Sequence, residues 1–180
     1  MAVRPVSAGI AAVVLAACQP SPTDDARTRA PDIPQRDAPS APIAAPDVTG
    51  AAWVATDDPA RLLYGRSGEV PLLALACVVE GGTKRLRITR YERADAGAGA
   101  IMAIIGKQNR ARLPVEAVWN GRGWLWEASY PAVSRDMDVF SETQLIELTV
   151  PGAGRLDLNP SELPAALLAS CRPSEPPSPA

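Results

Sequence analysis

Val115-Glu116-Ala117-Val118-Trp119-Asn120-Gly121-Arg122-Gly123-Trp124-Leu125-Trp126-Glu127-Ala128 is the stretch that decides the fold. Apolar residues recur with a period of two on either side of Asn120-Gly121, as expected of β-strands. Asn-Gly supplies the positive φ angles that a tight turn requires, so the stretch reads as a β-hairpin. With Asn120-Gly121 as a two-residue loop, Trp119 faces Arg122 and Ala117 faces Trp124. With a four-residue loop, Trp119 faces Trp124 and Ala117 faces Trp126. Either register puts Val115, Ala117 and Trp119 on one face with Trp124, Trp126 and Ala128, and Glu116 and Glu127 on the other. Three of the four tryptophans therefore share one side of a single hairpin.

Working outward, the chain keeps to short strands separated by turn residues. Ala51 to Val54 is a strand candidate, followed by a turn at Asp57-Asp58-Pro59 and by Arg61 to Tyr64. Pro71 to Val79 is the most apolar run outside the N-terminus, and its length and Gly81-Gly82 boundary favour a buried strand over a helix. In Lys84 to Tyr91, Leu86 and Ile88 alternate with Arg85, Arg87 and Thr89, the pattern of a half-exposed strand. Ala100 to Ile105, Gln144 to Val150 and Arg155 to Leu158 complete the set, with Ser134 to Asp138 read as loop. The one good helix candidate comes last. Ser161 is its expected N-cap, Pro164 is tolerated in the first turn, and Pro173 stops it. Leu163, Leu167 and Cys171 fall on one helical face. The expected fold is mainly β: a single antiparallel β-sandwich or partly open barrel over residues 51–172, with a C-terminal α-helix.

The N-terminus is of another kind. Met1 to Arg4 is a short basic start, and Val6 to Leu15 is an apolar run too short to span a bilayer, which takes about 20 residues. Leu15-Ala16-Ala17-Cys18 then fits the lipobox position by position, and residues 1–17 resemble a bacterial lipoprotein signal peptide. The resemblance implies cleavage before Cys18, a diacylglycerol thioether on its sulfur and further acylation of the new amino terminus. Each buried methylene adds about 0.8 kcal/mol, so two or three chains hold a protein essentially permanently where one does not. Gln19, in place of the Asp associated with inner-membrane retention, implies the outer membrane. Residues 18–50, punctuated by Pro20, Pro22, Pro31, Pro34, Pro39, Pro42 and Pro46 with no apolar period and no aromatic, read as a disordered linker. Residues 173–180 read as a disordered tail.

Composition excludes more than it assigns. The chain has 180 residues with a net charge of -2, which argues against a nucleic-acid binder. It contains no histidine. That removes Ser-His-Asp and Cys-His nucleophile systems, His-bearing metal sites and the commonest general base near neutral pH. Asp136-x-Asp138 begins like a calcium loop, but Phe140 occupies the next ligand position. Gly97-x-Gly99 and Gly106-Lys107 lack P-loop spacing, and Gln108 stands where that motif needs Ser or Thr. The expectation is no cofactor, no metal and no catalysis.

If Cys18 is lipidated, Cys77 and Cys171 remain, and two such cysteines in an oxidising compartment are expected to pair. The bridge would clip the last helix to the sheet. Trp119, Trp124 and Trp126 read as core filled by large aromatics, with a surface for sugars or a partner protein as the alternative. Arg85, Arg87, Arg90 and Arg93 read as a solvated strand face. From Trp53 to Arg172 the chain also resembles small two-cysteine envelope lipoproteins of alphaproteobacteria, through the apolar Leu73-to-Cys77 strand, the basic alternating strand after it and the terminal Cys171-Arg172. That resemblance implies no active-site residues. The functional expectation is a lipid-anchored periplasmic binding or structural module, with a hydrolase inhibitor, for instance of lysozyme, or a histidine-free carboxylate enzyme as alternatives.

Overall fold

The computed structural model describes residues 43–173. The expected signal peptide, Cys18, most of the expected linker and the tail from residue 174 lie outside the described residues. Nine strands form the fold: β1 (Ala52–Ala55), β2 (Arg61–Gly65), β3 (Leu73–Glu80), β4 (Thr83–Arg93), β5 (Gly99–Ile105), β6 (Arg110–Trp119), β7 (Trp124–Pro131), β8 (Ile146–Val150) and β9 (Gly154–Leu158). They make one sheet in the order β1-β2-β3-β4-β7-β6-β5-β8-β9. A 3-10 helix (Arg135–Ser141) links β7 to β8, and an α-helix, α1 (Leu163–Cys171), ends the fold. The expected mainly β architecture with a C-terminal helix is the one observed, as a nearly closed barrel.

Local chemistry sets the registers. Glu80 pairs with Thr83 across Gly81-Gly82, whose φ values of 57° and 77° make a tight turn that glycine adopts without strain. The tryptophan hairpin takes the four-residue register, with Trp119 opposite Trp124 and Ala117 opposite Trp126. Asn120 closes its loop by accepting from Arg122 N and Gly123 N, both at 2.9 Å, which is the Asx-turn use of that side chain. Pro114 sits mid-strand in β6 for a specific reason. The β6–β7 ladder starts only at Glu116–Glu127, and the Pro114 carbonyl accepts instead from Tyr130 Oη at 2.8 Å. No ladder donor is needed there, so proline's missing N–H costs nothing.

Every neighbouring pair in the sheet is antiparallel. With nine strands, β1 and β9 must then run in the same direction, and no ladder joins them. Side chains stitch this seam instead. Tyr64 Oη donates to Asp157 O at 2.9 Å and accepts from Asn159 N at 3.0 Å. The Asn159 amide donates to Ala51 O at 2.8 Å and Val48 O at 3.2 Å. Residues 43–50, expected as linker, thus lie against the barrel, and Val48 packs on its core. The boundary falls earlier than composition suggested because one proline, Pro46, and a turn closed by Thr49 N on Asp47 do not prevent a short segment from docking on a seam.

Tyr64, Leu73, Leu75, Leu86, Ile88, Met102, Ile104, Leu113 and Trp126 fill the interior with essentially no exposure. One end is plugged by α1 and the 3-10 helix, which bury Leu167, Leu168, Cys171, Met137, Val139 and Phe140. The segment expected as loop at Ser134 to Asp138 is therefore mostly this 3-10 helix, with Ser134 capping it by accepting from Asp136 N. Glu162, not Ser161, holds the N-cap position of α1; Ser161 Oγ instead accepts from Leu163 N at 3.2 Å. Leu163 is exposed, so the buried helical face is Pro164, Leu167, Leu168 and Cys171.

Candidate functional site

The hairpin face expected to act as a unit is divided by position along the barrel. Trp126 is 1% exposed and lies in the core, whereas Trp119 is 54% exposed and Trp124 half-buried. The shared face is real, because all three side chains sit on the inner side of the sheet. Beyond Ala117, however, the hairpin passes the end of the barrel and that inner side no longer has a core opposite it. Trp126 is thereby removed from any binding surface. Trp119 and Trp124 remain as a tilted pair, ring centroids 5.8 Å apart, and Trp124 O accepts from Ala94 N at 2.9 Å, which ties the hairpin to the β4–β5 loop.

Below the hairpin tip, the outer wall of β3, β4 and β7 carries a groove of about 290 Å³. Its floor is Ala74 and Ala76, whose small side chains face outward where Leu73 and Leu75 face inward. Arg61 Nη2 donates to Tyr91 Oη at 2.7 Å on one side. On the other, Thr89 Oγ1 donates to Glu127 Oε2 at 3.1 Å, and Arg87 Nε lies 3.5 Å from Glu127 Oε1. Asp58, also in the lining, accepts from Ala60 N at 2.9 Å as part of its turn. Both carboxylates of the groove are thus engaged. Below it, Glu80 accepts from Arg87 Nη2 at 2.6 Å and from Ser129 Oγ at 2.9 Å, with Arg85 Nε at 3.0 Å. The Arg87 and Ser129 bonds hold the Glu80 carboxyl below its usual pKa against a smaller opposing effect of desolvation.

Arg90 corrects the reading of the arginine series. It shares strand parity with Leu86 and Ile88, so it points inward, and it is 1% exposed. Its Nη1 donates to Leu72 O at 2.9 Å and its Nη2 to Ala153 O at 3.2 Å, joining β4 to the β8–β9 turn across the end of the barrel opposite α1. Burial pulls its pKa below the ordinary arginine value, opposed by Glu92, 3.8 Å away. Among the described residues, Arg90 Nε and Trp126 Nε1 are buried without a hydrogen-bond partner. The two residues are direct cross-strand partners. The alternation that marks the strand already places Arg90 inside, but four arginines in nine residues read more readily as one solvated row.

A second feature lay within a motif that fails as a P-loop. Lys107 N, Gln108 N and Asn109 N all point at the Glu142 carboxylate, at 2.6, 3.1 and 2.6 Å, and Asn109 Nδ2 adds a fourth bond at 3.0 Å. Successive backbone N–H groups of this kind form an anion nest, and here the chain's own side chain fills it. Desolvation pushes the Glu142 pKa up, but the four donors outweigh it and the carboxyl sits below its usual value. Gly106 leaves room for it: a Cβ there would come within 2.6 Å of the carboxylate and would push the Glu142 side chain out of the nest.

Cys77 and Cys171 are bridged, with Cα atoms 5.5 Å apart. Asp138 is paired with Arg172 at 2.6 Å, and Phe140 is buried, so the Asp136-x-Asp138 segment serves the packing of the 3-10 helix. Among the described residues, no three or more His, Cys, Asp or Glu are grouped to hold a metal ion, and no helix is long and apolar enough to cross a membrane. No family model, curated protein or solved structure matches the chain.

Proposed function

We propose that the chain is a periplasmic envelope lipoprotein, anchored through Cys18 to the outer membrane, whose barrel is a non-catalytic binding or structural module. The observation that carries the reading is the distribution of cysteines. Two of the three form the Cys77–Cys171 bridge, and the third occupies the last lipobox position. A bridge of this kind fits an oxidising compartment, which is where a lipoprotein signal delivers its cargo. The groove supports recognition and not turnover: Asp58 is held by its own turn, and Glu127 is clamped by Thr89 and Arg87. Neither is placed as an unencumbered acid or base.

Metabolic labelling with a palmitate analogue tests the anchor. The wild-type chain is expected to take up the label and Cys18→Ser to lose it; an unlabelled wild type sinks the reading. Capture of a glycan hydrolase by the wild-type chain, abolished in Trp119→Ala, would replace the structural module by an inhibitor acting through the same hairpin.

A further inference from the structure

We propose that the end of the barrel carrying Trp119 docks on the surface of the membrane that holds the anchor, with the tryptophan at the headgroup level and Arg93 and Arg122 on anionic phosphates. The inference deepens the lipoprotein reading and rests on it for the identity of the membrane.

Strand direction locates the relevant groups. Successive strands alternate in direction, so the β2–β3, β4–β5, β6–β7 and β8–β9 connections all lie at one end, and the β1–β2, β3–β4 and β5–β6 connections lie at the other with α1. The first end holds the Asn120–Gly123 loop with Trp119 beside it, and the β2–β3 loop, where Val70 is 74% exposed. The described chain also begins there. A Cβ on Gly154, at the end of the β8–β9 turn, would touch Ile43 O at 2.8 Å, and Asp47 lies 3.5 Å from Arg66 in the β2–β3 loop. The segment that leads back to Cys18 therefore leaves the barrel at the tryptophan end.

Charge at that end is mixed, with Glu92 against the buried Arg90 and an exposed Asp95 two residues from Arg93, but two cations remain for an anionic surface. Arg66 is committed to Asp47 and Glu69, whereas Arg93 and Arg122 are exposed and have no carboxylate partner among the described residues. An exposed tryptophan beside free arginines matches a bilayer interface, where indole rings sit at the headgroups and each cation is drawn to anionic lipid. Neither attraction needs to be strong. At about 3.1 Å per residue the sequence between Cys18 and Ile43 could span at most about 75 Å, and a tether of no more than that length would keep the local concentration of membrane surface high.

The test uses the full chain in two forms. The lipidated protein is reconstituted into vesicles of phosphatidylethanolamine with phosphatidylglycerol, part of the lipid bearing brominated acyl chains. The Cys18→Ser chain is added to the same vesicles from outside. Tryptophan emission is expected to shift to the blue and be quenched in the first preparation; most of the quenched part is expected to be lost in Trp119→Ala and the remainder with Trp124→Phe added, since Trp53 and Trp126 are buried. For the Cys18→Ser chain, Arg93→Glu with Arg122→Glu is expected to weaken partitioning about tenfold or more, with the same loss on zwitterionic phosphatidylcholine. Emission unchanged from buffer on anionic vesicles overturns docking, and does so without touching the anchor if Cys18 still takes the palmitate label. An unlabelled Cys18 with Trp119 quenched leaves docking standing and removes the anchor. Protection of Trp119 by purified peptidoglycan in place of vesicles also overturns the proposal.

Discussion

The two ends of this barrel are closed by different means. At the helix end, α1 and the 3-10 helix bury an apolar plug, a disulfide fixes it to β3, and Glu142 is pinned in a nest of backbone N–H groups. At the hairpin end, one arginine spans the opening between Leu72 and Ala153, and beyond it the inner face of β6 and β7 runs out into solvent at Trp119. Stabilising interactions concentrated at one end leave the loops of the other free to meet something else. Local stability need not be uniform, and contact surfaces are drawn from its lower part.

Removing the covalent clip should have the largest effect. The bridge closes a loop across a sequence separation of 94 residues. In the chain-entropy description such a loop contributes about 4–5 kcal/mol by restricting the unfolded chain. Cys77→Ala with Cys171→Ala is expected to lower the unfolding free energy by about that amount in a urea titration, and to raise amide exchange in α1 before the rest of the barrel. Equal exchange rates at the two ends in that variant would erase the distinction between them.

Arg90 comes next and probes the hairpin end. Arg90→Ala leaves the Ala153 carbonyl without its donor, while Leu72 O still accepts from Tyr91 N at 3.0 Å, and opens a cavity; it is expected to cost about 3–4 kcal/mol, within the range for large-to-small changes in a core. Arg90→Met fills the same space without a charge to desolvate and should cost markedly less. Thermal melts of the two variants decide between them. If methionine proves as damaging as alanine, the hydrogen bonds to Leu72 and Ala153 hold that end shut, and packing contributes little.

Much of this was legible in the sequence. The Asn-Gly hairpin, its parity, the buried Leu73-to-Cys77 strand, the C-terminal helix and the cysteine pair follow from period, turn chemistry and counting. Four features were missed. Trp126 and Trp119 have the same parity, and only the position of the barrel's end along the strand separates core from surface, which no local pattern encodes. Arg90 was legible by parity but masked by its neighbours. The Glu142 nest joins residues 33 to 35 apart in the chain through backbone N–H groups that every residue possesses, so composition carries no trace of it beyond Gly106. The seam was hidden for a related reason: Tyr64 and Asn159 meet across the whole domain.

Glu142 offers a smaller test at the helix end. Glu142→Gln keeps the shape but gives up the charge-assisted bonds, and is expected to cost about 1–2 kcal/mol at neutral pH. The folded carboxyl has a pKa below its ordinary 4.5. Its contribution is therefore fully present above about pH 4.5 and is lost as pH falls through the lower folded value. Wild type and Glu142→Gln should accordingly differ in midpoint at pH 7 and converge toward acid. A constant gap across the range would mean that the nest does not prefer the ionised form.

The smallest expected effect bears most directly on how the hairpin end is used. Trp119 gains an edge contact with Trp124 at 5.8 Å but has no core beneath it. An aromatic pair of this kind contributes about 0.5–1 kcal/mol, and Trp119→Ala should lower stability by no more than that. Trp126, on the same face of the same hairpin, would lose its full burial in the corresponding change. A large exposed indole that does little for the fold has its apolar surface available for another contact, whereas one that holds the barrel together does not. If Trp119→Ala costs as much as a core substitution, the inner face of the hairpin continues to its tip as structure, and the asymmetry between the two ends disappears along with the case for a docking surface.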